Sequence, residues 1–325
     1  MKKILVTGGA GYIGSHVCKA LSKQGFLPVT FDNLINGHEW AVKWGPLEIG
    51  DINDKQTLEK ILRMYEPEAV MHFAAHAYVG ESVHSPHKYY SNNVCGSLTL
   101  LEAMRNCNLN KIIFSSSCAT YGHPLRLPIT EELEQKPINP YGITKHIVEI
   151  MLKDFEKAYG LESISLRYFN AAGADIDGEI GEVHNPETHL IPLILAAAAG
   201  HTSHVDIFGD DYNTRDGTCV RDFIHVSDLA EAHIKALNQI LSGKKSSYYN
   251  LGIGHGFTVK EIIASAERIT KTNISIKISP RRDGDPAMLV CNADKAKREL
   301  DWSPSLSDIE NIINSAWVWY RKNFI

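Results

Sequence analysis

Apolar and β-branched residues gather in short runs along the first half of the chain, separated by longer stretches with a helical repeat. Runs over 3–7, 28–32, 47–50, 69–74, 111–116 and 163–168 predict strands. Between them, 93–107 puts Val94, Leu98, Leu101 and Met104 on one side of a helix. A second helical stretch, 141–159, carries Ile143, Ile147, Ile150, Met151 and Phe155, more apolar surface than one sheet face requires. Strands alternating with amphipathic helices imply a doubly wound parallel α/β sheet with helices on both faces.

Beyond Asn170 the pattern loosens. Gly, Asp, His and Pro become frequent over 171–218 and strand signals thin out, which predicts a smaller, mixed α/β C-terminal lobe. The stretch 221–237 reads as a strand and a helix returning to the first lobe. We therefore expect a first lobe of 1–170, joined again by about 220–250, and a second of 171–219 and 251–325. A last helix over 306–323 aligns Ile309, Ile312, Ile313, Ala316, Trp317 and Tyr320.

Composition narrows the partners. The 325 residues are 44% hydrophobic with a formal charge of -5, enough for a real core and without a Lys/Arg cluster to follow nucleic acid. The six cysteines form no C-x-x-C pair, so neither a zinc finger nor a disulfide framework is expected, and reduced thiols fit a cytoplasmic protein. Glycines break the opening MKKILVTGG before a secretory core can form, and the longest apolar run, 191–199, is too short to span a membrane.

The first strand runs into Gly8-Gly9-Ala10-Gly11-Tyr12-Ile13-Gly14 and a helix follows. Both Gly9/Gly11/Gly14 and Gly8/Gly11/Gly14 supply the spacing of a dinucleotide loop. There the chain must turn sharply, the backbone must approach a pyrophosphate, and free N–H groups at the helix start take its charge. Asp32 ends the next strand, where a carboxylate binds adenosine ribose hydroxyls. That carboxylate repels a 2′-phosphate and Asn33-Leu34-Ile35-Asn36 offers no arginine, so the Rossmann-type loop is expected to take NAD rather than NADP. Asp51 is a candidate cap for the adenine.

Tyr141 and Lys145 form Y-x-x-x-K at a helix start, one turn apart on one face. A phenol ordinarily loses its proton near pH ~10; a neighbouring ammonium and a cationic nicotinamide both favour the phenolate. The strand 111–116 leads into Ser115-Ser116-Ser117, which a doubly wound sheet presents at the cofactor crevice. Fold, glycine loop, serine and Y-x-x-x-K make a specific combination.

The chain resembles the extended short-chain dehydrogenase/reductases, and within them the UDP-glucose 4-epimerase family, nearly end to end. TGGAGYIGSH, FDNL, GDI, HFAA with VGES, YYSNNV, FSSSCATYG, NPYGITK, LRYFN, DGTCVRDFIHV, YNLGIG and PRRDGD carry the likeness. The resemblance implies that Tyr141 moves the proton of the sugar 4-hydroxyl, that Ser117 bridges sugar and phenol, and that Lys145 holds the nicotinamide ribose. It further implies that Gly8, Gly11, Tyr12, Ile13, Gly14, Asp32, Asn33, Asn36, Asp51, Ile52, Phe73, Ala74, Ala75, Asn92 and Phe169 surround NAD. For the UDP-sugar it implicates Ser117, Tyr141, Tyr168, Asn170, His189, Leu190, Phe208, Arg221, Arg282 and Leu289. A guanidinium fork suits the paired oxygens of a diphosphate, which gives the two arginines a physical reason. A homodimer through the helices over 93–107 and 141–159 is also implied.

Ala77 and His189 stand where many members carry lysine and asparagine, and Leu289 is intermediate in bulk at the position that screens a C2 N-acetyl group. Glucose/galactose leads as the substrate pair, with UDP-xylose/UDP-arabinose and UDP-N-acetylhexosamine as alternatives and a catalytically inactive nucleotide-binding regulator as a reading of another class. A sugar 4,6-dehydratase needs an Asp-Glu pair after the serine run, where Cys118 and Ala119 stand here. Cys118 is expected to be a small packed residue. His184, His189, His201 and His204 are expected to be turn or surface histidines, and no metal is expected, because no paired cysteine or carboxylate motif accompanies them.

Overall fold

The computed structural model of the chain describes residues 1–282 and 285–325. Its strands, in chain order, are β1 Lys3–Thr7, β2 Leu27–Asp32, β3 Leu47–Ile49, β4 Ala69–His72, β5 Lys111–Ser117, β6 Glu162–Tyr168, β7 Asn170–Ala172, β8 Val205–Phe208, β9 Val220–His225, β10 Ser247–Leu251, β11 Gly256–Thr258, β12 Ile276–Ser279 and β13 Met288–Leu289. The helices are α1 Tyr12–Lys23, α2 Lys55–Tyr65, α3 Val79–His84, α4 Pro86–Tyr89, α5 Ser97–Asn106, α6 Pro140–Tyr159, α7 Leu190–Ala198, α8 Val226–Leu241, α9 Val259–Thr270, α10 Asp294–Leu300 and α11 Ile309–Phe324.

Seven strands form one parallel sheet in the order β10-β6-β5-β4-β1-β2-β3. Side-chain alternation divides its two faces. Ile4, Val6, Met71 and Ile113 join Val17 and Leu21 of α1 and Leu229 and Leu237 of α8. Leu5, Val70, Ile112 and Phe114 point the other way, onto Leu58 and Leu62 of α2, Leu100 and Met104 of α5, and Val148 and Leu152 of α6. Both faces are covered, which is why these strands read as continuous apolar runs. The chain starts at β1 and winds outward both ways, so a crevice opens at the carboxyl ends of β1 and β4.

The predicted strands are all present. The helix expected over 93–107 begins instead with a π-helical turn, Tyr90–Gly96, and α5 buries Leu100 and Ala103 while Leu98 stays exposed. Ile150 is likewise exposed on α6.

The second lobe has its own core, in which Ile191, Ile194 and Leu195 of α7 meet Ile262 and Ile263 of α9 and Ile312 and Ile313 of α11. Of the 220–250 stretch, α8 and β10 lie with the first sheet, but β9 does not. It pairs with β7, β11 and β13 in a separate four-stranded sheet, because β6 already has β10 as its outer neighbour. Among the described residues, no helix is long and apolar enough to cross a membrane.

One buried ion pair fixes α6 on the sheet. Arg167 of β6 donates from Nε to Glu149 of α6 at 2.9 Å and from Nη1 to the Tyr121 hydroxyl at 2.8 Å. Ser116 and Gln135 donate to the same carboxylate, so no lone charge is left in the core. Removing one partner strands the other, at a cost of about 3–5 kcal/mol. Arg167→Met is therefore expected to lower the melting temperature sharply, and Glu149→Leu/Arg167→Met to lie above that single variant in calorimetry. A double variant less stable than the single one would show that the pair does not act as a unit.

Candidate active site

The glycine loop connects β1 to α1. Gly8 has φ of +73°, and a Cβ there would come within 2.6 Å of the Ala74 amide nitrogen, so the position requires glycine. At Gly14 a Cβ would fall 2.2 Å from the Gly8 carbonyl oxygen. Gly11 caps α1 without a side chain, and the first turn holds no acidic residue. The amide groups at this helix start are thus free for an anion. Asp32, at the end of β2, accepts the Ala10 amide at 3.0 Å through one carboxylate oxygen and the Leu34 amide at 2.9 Å through the other. Burial pushes its carboxyl up, and these two backbone donors oppose the shift. Each oxygen keeps a lone pair for a diol. These features fit a dinucleotide without a 2′-phosphate.

A continuous cleft of about 1220 Å³ runs from this loop to the second lobe. All but one of the residues expected around cofactor and sugar border it. On the glycine-loop side these are Gly8, Gly11, Tyr12, Ile13, Gly14, Asp32, Asn33, Asn36, Ile52, Phe73, Ala74, Ala75, Asn92 and Phe169. Towards the second lobe they are Ser117, Tyr141, Lys145, Tyr168, Asn170, His189, Leu190, Phe208, Arg221, Arg282 and Leu289. The exception is Asp51. It accepts from the Asn33 side-chain amide at 3.0 Å and from the Asn53 amide at 2.8 Å, and it adjoins Ile52 of the cleft wall.

The candidate reactive groups come from β5 and α6. Asn139 caps α6 by accepting the Gly142 amide at 2.8 Å, and Pro140 occupies the first helical position. This cap sets the first turn, which carries Tyr141. One turn later Lys145 donates to the Ser115 carbonyl at 2.7 Å and lies 5.0 Å from the Phe114 ring centre. Burial pushes the Lys145 amine down to about 7. Burial also holds the Tyr141 phenol well above its ordinary range, and the Ser117 hydroxyl works against that. Ser117 Oγ in turn accepts the Ala119 amide at 3.1 Å. The Cys118 thiol is pushed up to about 12 by burial, which disfavours the thiolate a nucleophile would need.

The second lobe brings the cations. Arg221 ion-pairs with Asp285, and the Arg282 guanidinium lies 3.9 Å from the Phe208 ring centre. Two residues of PRRDGD, Asp283 and Gly284, lie outside the described residues.

Sequence reasoning passed over several contributors. Ser115 anchors Lys145 and hydrogen-bonds the Tyr168 hydroxyl at 2.6 Å. Asn93 accepts the His76 amide at 2.8 Å and donates to Thr144 at 3.1 Å, joining the wall to α6. The histidines also divide differently from expectation: His201 is exposed at the surface, His204 is half-buried on the cleft border, and His184 and His189 face Glu182 and Glu187 beside the cleft. Carboxylates two residues away on the N-terminal side of each histidine were the missed signal. Burial lowers both imidazoles, but the carboxylates outweigh it and push His184 up to about 9 and His189 up to about 10.

The NAD dependent epimerase/dehydratase family model matches residues 4–252. The chain belongs to that family. A UDP-glucose 4-epimerase of Rhizobium meliloti (strain 1021) is 53% identical over 319 residues, covering 98% of this chain and 97% of the relative. A crystal structure of UDP-glucose 4-epimerase from Brucella ovis in complex with NAD is 51% identical, with a TM-score of 0.96 over 98% of each chain. One from Bifidobacterium longum, in complex with NAD+ and UDP, is 39% identical with a TM-score of 0.95 over 99% of each chain.

The epimerase/dehydratase glycine loop makes a direct prediction. Gly14→Ala must displace the Gly8 carbonyl from under the helix start. Cofactor affinity is expected to fall at least about tenfold, or about 1.4 kcal/mol. Nicotinamide released on heat denaturation measures this, and retention equal to the unsubstituted protein would contradict the close approach.

Proposed function

We propose that this chain interconverts UDP-glucose and UDP-galactose by NAD-dependent epimerisation at C4. The observation that carries the reading is the convergence of Ser117, Tyr141 and Lys145 on one cleft that joins the glycine loop to Arg221 and Arg282. A nucleotide regulator without catalysis has no use for all three. The near-complete coverage of UDP-glucose 4-epimerases at about half identity supports the choice of sugar.

When bound, NAD accepts the C4 hydride and returns it to the other face of the sugar. The amides at the start of α1 hold its pyrophosphate, and Asp32 its adenosine ribose. Asn33, Asn36, Ile52, Phe73, Ala74, Ala75, Asn92 and Phe169 form the walls around it. Tyr141 takes the 4-hydroxyl proton as the carbon is oxidised and gives it back on reduction, so proton and electron balances close over the cycle. Ser117 orients that hydroxyl. Lys145 binds the nicotinamide ribose, and its ammonium favours the Tyr141 phenolate that burial alone disfavours. Arg221 and Arg282 hold the diphosphate, with His189 and Asn170 beside it. Between the two half-reactions these anchors keep the nucleotide in place while the keto sugar turns.

We assign NAD to the lobe of 1–170 with α8 and β10, and the UDP-sugar to 171–225 and 252–325. The exposed apolar residues Leu98 and Ile150 of α5 and α6 support a homodimer across these helices. The scattered free cysteines favour a cytoplasmic setting.

Purified enzyme given UDP-galactose, with no nicotinamide added, is expected to yield UDP-glucose by chromatography, faster than it converts UDP-pentose or UDP-N-acetylhexosamine pairs. No conversion of any pair would refute the reading. Tyr141→Phe is expected to lower kcat by about 10² to 10⁴ with UDP-sugar binding retained. Undiminished turnover would remove Tyr141 from the reaction. Sedimentation should give twice the chain mass at micromolar concentration.

A further inference from the structure

The loop before α7 places four donor side chains around one point. Glu182, His184, Glu187 and His189 each offer a ligand atom, and all four atoms lie within 4.8 Å of one another. Nδ1 of His184 is 3.3 Å from Glu182 Oε1 and 3.5 Å from Glu187 Oε2. Nδ1 of His189 is 2.9 Å from Glu182 Oε1 and 3.0 Å from Glu187 Oε1. Bonds of about 2.0–2.2 Å to a tetrahedral zinc ion put neighbouring ligands about 3.3–3.6 Å apart, so the cluster needs little adjustment to close on a cation.

Hydrogen bonding alone serves these groups poorly. Two Nδ1–H groups at most face four carboxylate contacts. His184 Nδ1 is buried and aimed at neither oxygen in hydrogen-bond geometry, so it has no such partner. The ring centres of the two histidines are 5.1 Å apart, and protonating both sets two like charges side by side. The Glu187 carboxylate is also held in place, accepting the Thr188 amide at 2.7 Å and the His189 amide at 2.8 Å, as a supported ligand is. Around the cluster stand the rings of Tyr12 and Tyr78, edge-on to His184.

We propose that Glu182, His184, Glu187 and His189 bind one divalent transition-metal cation, with zinc the best match to two imidazoles and two carboxylates. Such a donor set excludes magnesium and calcium, which prefer all-oxygen shells. Two carboxylates neutralise the dication, and the imidazoles ligate without carrying charge. The site draws all its ligands from 182–189 and so ties the loop to the start of α7. It borders the cleft, and a cation there cancels the negative charge of two carboxylates where the UDP-sugar reading puts a diphosphate. Binding of the metal to the chain does not require that reading.

The test uses tag-free enzyme with its NAD, stripped of metal by chelator and titrated with Zn²⁺ in a calorimeter and with Co²⁺ in the visible spectrum. One equivalent of zinc and the intense visible bands of tetrahedral cobalt are expected. His184→Gln and Glu187→Gln should each weaken zinc binding at least about tenfold, and His204→Gln should leave it unchanged. Retained NAD and an unaltered far-ultraviolet spectrum would show that the variants fold. Absence of saturable zinc binding overturns the proposal. So does equal affinity in folded His184→Gln and Glu187→Gln, or nitrogen NMR showing both imidazoles doubly protonated with zinc present, which would mark an ion-pair cluster instead.

Discussion

A charged pair sealed into the interior sets the geometry of this molecule. Tyr141, Lys145 and Glu149 follow one another at single-turn intervals along one face of α6. The innermost of them meets Arg167 under the sheet. Because a lone carboxylate or guanidinium cannot stay there, helix and strand have one acceptable register. The same carboxylate accepts from Ser116, the neighbour of Ser117. Phenol, amine and serine therefore inherit their relative positions from an interaction that never touches the cleft. This is how a catalytic group comes to be held within a fraction of an ångström: its support is locked by packing and polar satisfaction.

The parts of the molecule that could be read from sequence are those encoded by neighbours. Ile4, Leu5 and Val6 announce a strand covered on both faces, and Gly8 and Gly14 announce a backbone that something must approach closely. Tyr141 and Lys145 share a helix face by their spacing alone. The parts that could not be read depend on distant partners. Nothing near Val220 shows that β9 finds β7 and not β6, since that depends on β10 having filled the outer edge. Glu182 and His184 are two ordinary polar residues until the loop curls and brings Glu187 and His189 alongside. Leu98 fits the apolar stripe of a helix, but the π-helical turn before α5 rotates it outward.

The electrostatics of the cleft follow a common logic. Groups that must change protonation or meet a cofactor are buried, and burial disfavours their charged forms: Lys145 is drawn down and Tyr141 up. Neither charged form is favoured by burial alone. A positively charged nicotinamide ring bound in the cleft they line would supply what the protein withholds, so on the proposed function the reactive state would depend on occupancy. Asp32 is buried too, but two backbone amides oppose that effect, and Arg221 is given an ionic partner in Asp285.

The order of strands carries a cost during synthesis. β6 is made early, but its outer partner β10 is encoded about 80 residues later, which at ~5–20 residues per second leaves a hydrogen-bonding edge unpaired for roughly 4–16 s. Throughout that interval the nascent sheet ends in a bare row of amides and carbonyls, open to any passing strand. Ribosome-associated chaperones would find their natural target there, and slowing translation between the two strands would lengthen the exposure without altering a single residue of the finished enzyme.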